Sequence, residues 1–263
     1  MFKRTTLLER LFVEYNIDNL PFGIKQDKLG DVMEEYCARL LSWPYMLRKL
    51  KHNDFDLNDT DDYLFSLIID KAEIDVCNIV KMSATRDIEH RWTGGNSKTD
   101  VLLTIEYPNE IIEIPISVKQ TTVQKVAMAE FDADTIVNEV GITDPIVKSL
   151  LYKHQFDASA INFTDKEKEM LKTHLAPYAR SFVRWVLSGT PKPTSDLRFP
   201  KIMVKLQMSK QDEIMGINVY DIEEYVDSVM YDKKGNLKVG GFGTGLSWTY
   251  ATGSKGRKIQ FKG

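Results

Sequence analysis

The chain has 263 residues, of which 43% are hydrophobic and 28% are charged, and its formal net charge is −3. This composition is typical of a globular protein with a sizeable core, and no apolar run approaches the roughly 18 residues needed to span a membrane. The first ten residues lack the uncharged apolar core of a signal peptide. Cys37 and Cys77 lack metal-ligand spacing, which predicts a cytoplasmic protein whose thiols are reduced, inert and at least partly buried.

The charges are distributed unevenly along the chain. From Tyr231 to Gly263 seven basic residues accompany a single acid, so this segment carries +6 and the remainder carries −9. Its last 23 residues, Gly241 to Gly263, contain no acid and are rich in glycines and hydroxyl side chains. Cations and hydroxyls donate to phosphate oxygens and to base edges, so this end of the chain predicts contact with a nucleic acid. An acidic run between Asp54 and Asp62 is predicted to be a solvated loop.

Helices and strands are both predicted along the chain. Apolar residues recur at helical spacing over 4–16 and 28–50, and Glu34 and Glu35 both fall off the apolar stripe of the second helix. Strands are predicted over 76–83, 100–107 and 112–120, and Pro108-Asn109 between the last two predicts an antiparallel pair. Further helices are predicted over 126–139, 143–154, 164–187 and 221–230, and further strands over 201–209, 214–219, 246–250 and 257–262. The pattern predicts an α/β fold with a central mixed β-sheet flanked by helices and an irregular basic C-terminal segment.

One group of residues in the predicted hairpin can carry chemistry. Ser117 and Lys119 are two positions apart in a strand and therefore project to one face, and antiparallel pairing can bring Asp100 beside them. A carboxylate, a backbone carbonyl and phosphate oxygens are hard ligands suited to Mg²⁺, and a neighbouring lysine can stabilise charge on a reacting phosphate. The pattern fits metal-assisted phosphodiester hydrolysis. The same spacing also arises by chance, in which case Asp100 and Lys119 are ordinary surface charges.

Several segments together carry a resemblance to a known family. They are Gly94-Gly95, Lys98-Thr99-Asp100, Val118-Lys119, residues 129–132, 153–155 and 182–185, Gly241 to Leu246, and the stretch that continues to Gln260-Phe261-Lys262-Gly263. In this combination the chain resembles the MspI-type restriction endonucleases of the PD-(D/E)xK nuclease superfamily over essentially its whole length. The resemblance implies a single restriction-endonuclease domain over 1–263, with a catalytic core at about 28–125 and a DNA-recognition segment at about 240–263.

The resemblance also implies an activity and its catalytic residues. It implies a Mg²⁺-dependent type II enzyme that cuts double-stranded DNA at a short palindrome, CCGG, and leaves 5′-phosphate ends. Asp100 and the backbone carbonyl of Val118 would hold the metal, and Lys119 would be the catalytic lysine. Ser117 stands where most of the superfamily has an acid and the MspI type has asparagine, which leaves the metal count open. Glu34 matches a helix glutamate that would orient water, although helical geometry does not separate it from its neighbour.

For recognition, the resemblance implies that the C-terminal segment enters the major groove. The DNA-binding candidates are Lys98, Thr249, Thr252, Ser254, Lys255, Gln260 and Lys262. The Lys262 ammonium can donate to guanine O6 and N7, and the hydroxyls can serve either partner of a G·C pair. Thr252 and Ala127 both stand where the MspI type has serine, so the site is CCGG or a relaxed relative. A basic segment that contacts only phosphates is the alternative.

Other functional classes stay open. One alternative is a decayed nuclease that binds a DNA sequence without cutting it, because Ser117 stands where most of the superfamily has an acid. A further alternative is a nuclease that recognises mismatches or junctions. Gly241 to Gly245 lacks the spacing of a dinucleotide fingerprint, and Ser97-Lys98-Thr99 lacks the glycine of a phosphate-binding loop. The four scattered histidines are predicted to be surface or packing residues. The sequence leaves monomer and homodimer equally open.

Overall fold

The computed structural model describes residues 5–86, 88, 97–123, 125–209, 211–251 and 257–263. The chain divides into two compact units. The first comprises residues 1–124 and 196–221, and the second comprises residues 125–195 and 222–263. The chain returns from the second unit to the first within the proline-containing connector predicted at 189–200. That both units form a single restriction-endonuclease domain stays a prediction.

The elements follow one another in a mixed order. The helices are α1 (Thr6–Glu14), α2 (Phe22–Ser42), α3 (Pro44–His52), α4 (Thr60–Ala72), α5 (Ala133–Val140), α6 (Pro145–Phe156), α7 (Asp165–Leu175), α8 (Ala179–Ser188) and α9 (Ile222–Met230). The strands are β1 (Lys81–Thr85), β2 (Val101–Glu106), β3 (Ile111–Thr121), β4 (Ala127–Phe131), β5 (Ile202–Met208), β6 (Ile214–Asp221), β7 (Ser247–Thr249) and β8 (Ile259–Lys262). Among the residues that the structure describes, none of the helices is both long enough and apolar enough to cross a bilayer.

The first unit contains a five-stranded mixed sheet in the order β1-β2-β3-β5-β6. Strands β2 and β3 pair antiparallel with Val101 opposite Ile116, which confirms the predicted hairpin. Strands β3 and β5 run parallel, whereas the remaining neighbours are antiparallel. The sheet is therefore mixed and flanked by helices, as predicted.

Helix α2 packs its apolar stripe into the core of this unit. The stripe residues are all fully buried: Leu29, Val32, Met33, Tyr36, Cys37 and Leu40. The prediction of one helix over 28–50 is wrong, because α2 ends at Ser42 and α3 begins at Pro44. A proline disfavours helical conformation in the residue before it, and Trp43 accordingly has an extended backbone.

The prediction of a solvated loop holds for Asp54, Asp56 and Asp59, which are exposed before α4, and is wrong for Asp61 and Asp62, which are buried in that helix. Asp59 caps helix α4 by accepting from the backbone N–H groups of Asp61 and Asp62, each at 3.0 Å. The buried Asp61 carboxylate accepts from the Tyr36 hydroxyl, and the buried Asp62 carboxylate pairs with Lys49. These partners satisfy carboxylates that would otherwise be costly to bury. The prediction that both cysteines are at least partly buried is confirmed for Cys37, which is buried, and is wrong for Cys77, which is exposed.

The second unit contains a three-stranded antiparallel sheet in the order β4-β8-β7 and helices α5 to α9. The prediction of a helix over 126–139 is wrong for its first part, because residues 127–131 pair with β8 as a strand. Helix α5 begins only after Asp132, whose side chain accepts from the Thr135 N–H at 2.7 Å. Pairing with a strand from the end of the chain thus overrides the local helical pattern.

Candidate functional site

In the first unit, three donors meet one carboxylate oxygen. Asp100 precedes β2, and its backbone N–H donates to the Ile116 carbonyl at 2.9 Å, which fixes it beside the middle of β3. Its Oδ2 accepts from Ser117 Oγ at 2.7 Å, from the Val118 N–H at 2.8 Å and from Lys119 Nζ at 2.8 Å. The structure therefore brings together the aspartate, the serine and the lysine that the hairpin predicted.

The Asp100 carboxylate and the Lys119 ammonium group are both partly exposed. The three donors named above all reach Asp100 through Oδ2. The side chains of Asp100 and Lys119 are 19% and 22% exposed, so both are within reach of a ligand. Ser117 is buried and acts through its hydroxyl on Asp100. The cluster is thus a prearranged carboxylate beside an ammonium group, and both side chains are partly exposed.

Glu34 is electrostatically coupled to this cluster. Burial and the charge of Asp100 raise the pKa of Glu34, while Arg86 opposes that rise. Arg86 donates to Glu34 Oε2 from Nη2 at 2.6 Å and from Nε at 3.2 Å. Glu35 pairs with Arg39 at 2.6 Å and lies farther from Arg86, with 3.8 Å between its Oε2 and Arg86 Nη1. The structure therefore separates the two glutamates that the helical pattern left equivalent.

Two further cations, Lys98 and Arg86, act on the charged residues of this cluster. Lys98 lies two residues before Asp100, and its backbone N–H donates to the Arg198 carbonyl at 2.8 Å. Burial, followed by the charge of Lys119, lowers the pKa of Lys98 to about 8. Arg86 follows β1 and also contacts the Tyr15 hydroxyl at 3.3 Å. Sequence reasoning missed Arg86, since a single arginine outside any motif gives no signal before its partners are known.

The donor set fits a hard divalent cation. Asp100 and Glu34 are carboxylates, and the Val118 carbonyl is the predicted third ligand. Mg²⁺ usually takes one or two protein carboxylates and keeps several waters, so it does not need a closed protein cage. The described part of the chain contains no group of three or more His, Cys, Asp or Glu side chains arranged to hold a metal.

The sheet of the second unit has one polar and one apolar face. In register, Glu130, Gln260 and Thr249 lie side by side on β4, β8 and β7, and Lys262 lies opposite Ser247. We call these five residues the polar face. Positions between them, such as Trp248 and Phe261, pack on the opposite side, where both rings contact Phe182. The structure thus brings three predicted DNA-binding residues, Thr249, Gln260 and Lys262, onto one surface.

Hydrogen bonds connect the polar face across its three strands. Gln260 Nε2 donates to Glu130 Oε1 at 2.6 Å, and Thr249 Oγ1 donates to Gln260 Oε1 at 3.3 Å. Lys125 Nζ donates to Ser247 Oγ at 2.9 Å at the end of the face. Ala127 lies opposite Lys262 and offers no polar group there. Thr252, Ser254 and Lys255, also predicted to bind DNA, lie outside the described residues, as do Gly94 and Gly95.

An aromatic cluster around His154 supports strand β7. The His154 ring is 5.4 Å from the Trp248 ring and 5.6 Å from the Tyr250 ring. The Tyr250 hydroxyl donates to the His154 carbonyl at 2.6 Å, so the 2.8 Å contact with Nδ1 requires a proton on Nδ1. Burial lowers the pKa of His154 to about 4. His154 is a packing residue, as predicted for the histidines.

A glycine-rich turn leads from α9 into this strand. Gly241, Gly243 and Gly245 all have positive φ, a conformation that other residues adopt at a cost. A Cβ at Gly245 would lie 2.0 Å from the Val229 carbonyl oxygen, and a Cβ at Gly241 would lie 2.0 Å from the Leu246 carbonyl oxygen. The glycines of the predicted recognition segment therefore shape the approach to the polar face.

Comparisons with known proteins agree over the whole chain. The family model described as restriction endonuclease MspI matches residues 8–263. Type II restriction enzyme MspI from Moraxella sp. is 33% identical over 266 residues, which cover 99% of this chain and 100% of that enzyme. Type II restriction enzyme BsuFI from Bacillus subtilis is 24% identical over 270 residues, covering 97% of this chain and 64% of that enzyme. The crystal structure of MspI in complex with its cognate DNA superimposes with a TM-score of 0.87, at 32% identity, and covers 99% of this chain and 100% of that one.

Proposed function

This chain belongs to the restriction endonuclease MspI family, and on that basis we propose that it is a type II restriction endonuclease acting on double-stranded DNA. It hydrolyses one phosphodiester bond in each strand at a short palindrome, CCGG or a close relative, in the cytoplasm, and leaves 5′-phosphate ends. The observation that carries the proposal is the meeting of Ser117, Val118 and Lys119 donors on Asp100 within a fold that matches MspI along its whole length.

We propose that Asp100 Oδ1 and the Val118 carbonyl hold Mg²⁺. When bound, this ion polarises the scissile phosphate and makes water a stronger nucleophile. The Ser117 hydroxyl and the Val118 N–H hold the Asp100 carboxylate in one orientation by donating to its other oxygen. The Lys119 ammonium neutralises negative charge that develops on the phosphate, and it is prearranged 2.8 Å from Asp100.

Glu34 is proposed to orient the attacking water. Its carboxylate is an acceptor, and its coupling to the Asp100 charge supports a position next to the metal site. Arg86 holds this carboxylate through two hydrogen bonds, at 2.6 and 3.2 Å, so the acceptor is already aligned before DNA binds. Attack in line with the 3′ oxygen breaks the bond to that oxygen, so the 5′ oxygen keeps the phosphate.

The polar face is proposed to read base edges in the major groove. Lys262 offers several N–H donors, whereas Thr249 and Gln260 can both donate and accept, and a G·C pair presents guanine O6 and N7 as acceptors and cytosine N4 as a donor. Lys98 is proposed to contact DNA near the catalytic cluster. Thr252, Ser254 and Lys255 complete the proposed contact set. The complex of MspI with its cognate DNA supports DNA as the partner.

The division of labour between catalysis and binding is tested by Lys119→Ala. We expect cleavage in Mg²⁺ to be abolished, while specific binding measured in EDTA stays within a few-fold of the wild-type protein, because Lys119 acts on the reacting phosphate. Lys81→Ala removes a strand lysine that is 63% exposed and serves as the matched control. Loss of specific binding in Lys119→Ala would contradict this assignment.

Recognition is tested by Lys262→Ala. If Lys262 contacts a guanine, discrimination between the cognate duplex and single-base-pair variants should fall by about 1–3 kcal/mol. Lys234→Ala removes an exposed lysine of the same unit and is the control. An equal loss of affinity on every duplex would identify Lys262 as a phosphate contact instead.

One observation favours a second candidate function, a sequence-specific binding protein that has lost cleavage. Ser117 donates to Asp100 where an acidic residue would add a metal ligand, so the cluster has one carboxylate fewer than most of the superfamily. Specific DNA binding by the wild-type protein, without cleavage at any Mg²⁺ concentration, would establish this function. Restoration of cleavage by Ser117→Asp would then identify the missing carboxylate as the cause.

A further inference from the structure

Glu130 has an environment that DNA binding alone does not explain. It lies on the polar face, within a sheet that also carries Lys262, yet no described cation lies within 4.0 Å of its carboxylate. A carboxylate on this surface repels the phosphates of DNA and lowers affinity for every sequence. Its described hydrogen-bond partner is the side chain of Gln260, at 2.6 Å.

The chemistry of the pair fixes which way the Gln260 amide points. An ionised carboxylate only accepts hydrogen bonds, so the amide must turn its NH₂ group toward Glu130. The amide oxygen then faces the Thr249 hydroxyl, which lies 3.3 Å from it and 3.3 Å from the Gln260 backbone carbonyl oxygen. The opposite orientation would set the amide oxygen against the carboxylate and would lose the hydrogen bond to Glu130, whereas the Thr249 hydroxyl can serve either orientation because it both donates and accepts. Glu130, Gln260 and Thr249 thus form one ordered row across three strands.

We propose that Glu130 is a positioning residue for sequence discrimination, which acts by holding the Gln260 amide in one orientation against a base pair. This inference rests on the proposed function. With one N–H engaged by Glu130 and one oxygen lone pair engaged by Thr249, the amide retains one donor and one acceptor for a base. Their order along the groove is fixed, so a reversed base pair meets a donor facing a donor or an acceptor facing an acceptor. An amide free to turn over would accept both.

The decisive comparison uses Glu130→Gln and Glu130→Asp. Glutamine keeps the shape but can donate or accept, so it no longer imposes an orientation on Gln260. Aspartate keeps the charge but withdraws the acceptor by one methylene group. We expect both variants to lose about 10-fold in discrimination at one base pair of the site, and only Glu130→Gln to bind unrelated DNA more tightly. Glu139→Gln removes the same charge from an exposed position of α5 and is the matched control.

The probe is a DNA duplex that carries CCGG, or the palindrome that the wild-type protein is found to cut. Binding to this duplex and to each of its single-base-pair variants is measured by fluorescence anisotropy in EDTA. In a Gln260→Ala background, Glu130→Gln should change discrimination no further, because its effect passes through the amide. Unchanged discrimination in both single variants, with unchanged thermal unfolding, would overturn this inference. Absence of any sequence preference in the wild-type protein would overturn the proposed function instead.

Discussion

His154 should make the stability of the second unit depend on acidic pH. This side chain is 2% exposed, and burial lowers its pKa from 6.5 to about 4. Between these two values the unfolded chain binds a proton that the folded chain excludes, so the free energy of unfolding falls as the pH is lowered from about 6.5 to about 4. At higher pH both states are neutral at this position, and this contribution to stability is fully present.

The size of the effect follows from the same shift. Each pKa unit corresponds to about 1.4 kcal/mol, so lowering the pH across this window should remove roughly 3 kcal/mol of stability. The structural cause is that the ring lies among Trp248, Tyr250 and Phe163 and makes its polar contact through Nδ1 with the Tyr250 hydroxyl. A second ring proton at Nε2 would place a charge in that buried cluster, and the charge of Asp157 offsets its cost only in part.

The assay is urea unfolding followed by tryptophan fluorescence at several pH values between 8 and 4. His154→Asn keeps an N–H donor and cannot become charged. It should be less stable than the wild-type protein at pH 8, and that difference should shrink by roughly 3 kcal/mol as the pH approaches 4. His52→Asn removes an exposed histidine and is the control. A difference between wild type and His154→Asn that is constant over the whole pH range would refute the reasoning.

Two further predictions concern the catalytic cluster and the glycine-rich turn. Arg86→Met should slow cleavage by about 10- to 100-fold with little change in DNA affinity, because Glu34 loses the cation that holds it. Arg86→Lys should recover part of the cleavage rate. Single-turnover cleavage assays and DNA-binding measurements in EDTA, made on both variants, test this prediction. Gly245→Ala should lower the free energy of unfolding by about 3 kcal/mol, because its Cβ would collide with the Val229 carbonyl oxygen and because residue 245 has a positive φ. Gly240→Ala is the control: no atom lies within 4 Å of its Cβ, so its thermal unfolding should be nearly unchanged. Equal melting temperatures for the two alanine variants would contradict the second prediction.

The parts that the sequence predicted well depend on local patterns. The pairing of β2 with β3 follows from two apolar runs separated by turn residues, and it places Asp100 beside Ser117 and Lys119. The stripe of α2 likewise follows from helical spacing. In both cases the determining residues are close in sequence, so periodicity alone contains the information.

The parts that the sequence did not predict depend on distant partners. Asp61 is buried because Tyr36, 25 positions earlier, donates to it, and β4 is a strand because β8 from the end of the chain pairs with it. Glu34 is distinguished from Glu35 by the two hydrogen bonds that it accepts from Arg86, 52 positions later, whereas Glu35 lies 3.8 Å from that arginine. The proposed role of Glu130 depends on its hydrogen bond with Gln260, 130 positions later. A single sequence gives no sign of such pairs, since each partner alone is an ordinary polar residue.

The measurement that tests the central claim most directly is cleavage of a sequenced plasmid by the purified protein in Mg²⁺, with EDTA as the control and sequencing of every end produced. We expect discrete double-strand ends with 5′ phosphates, all within one four-base palindrome, CCGG or a relative, and no ends in EDTA. Ends scattered without regard to sequence, or ends set by a mismatch or junction, would contradict the assignment as a site-specific restriction endonuclease.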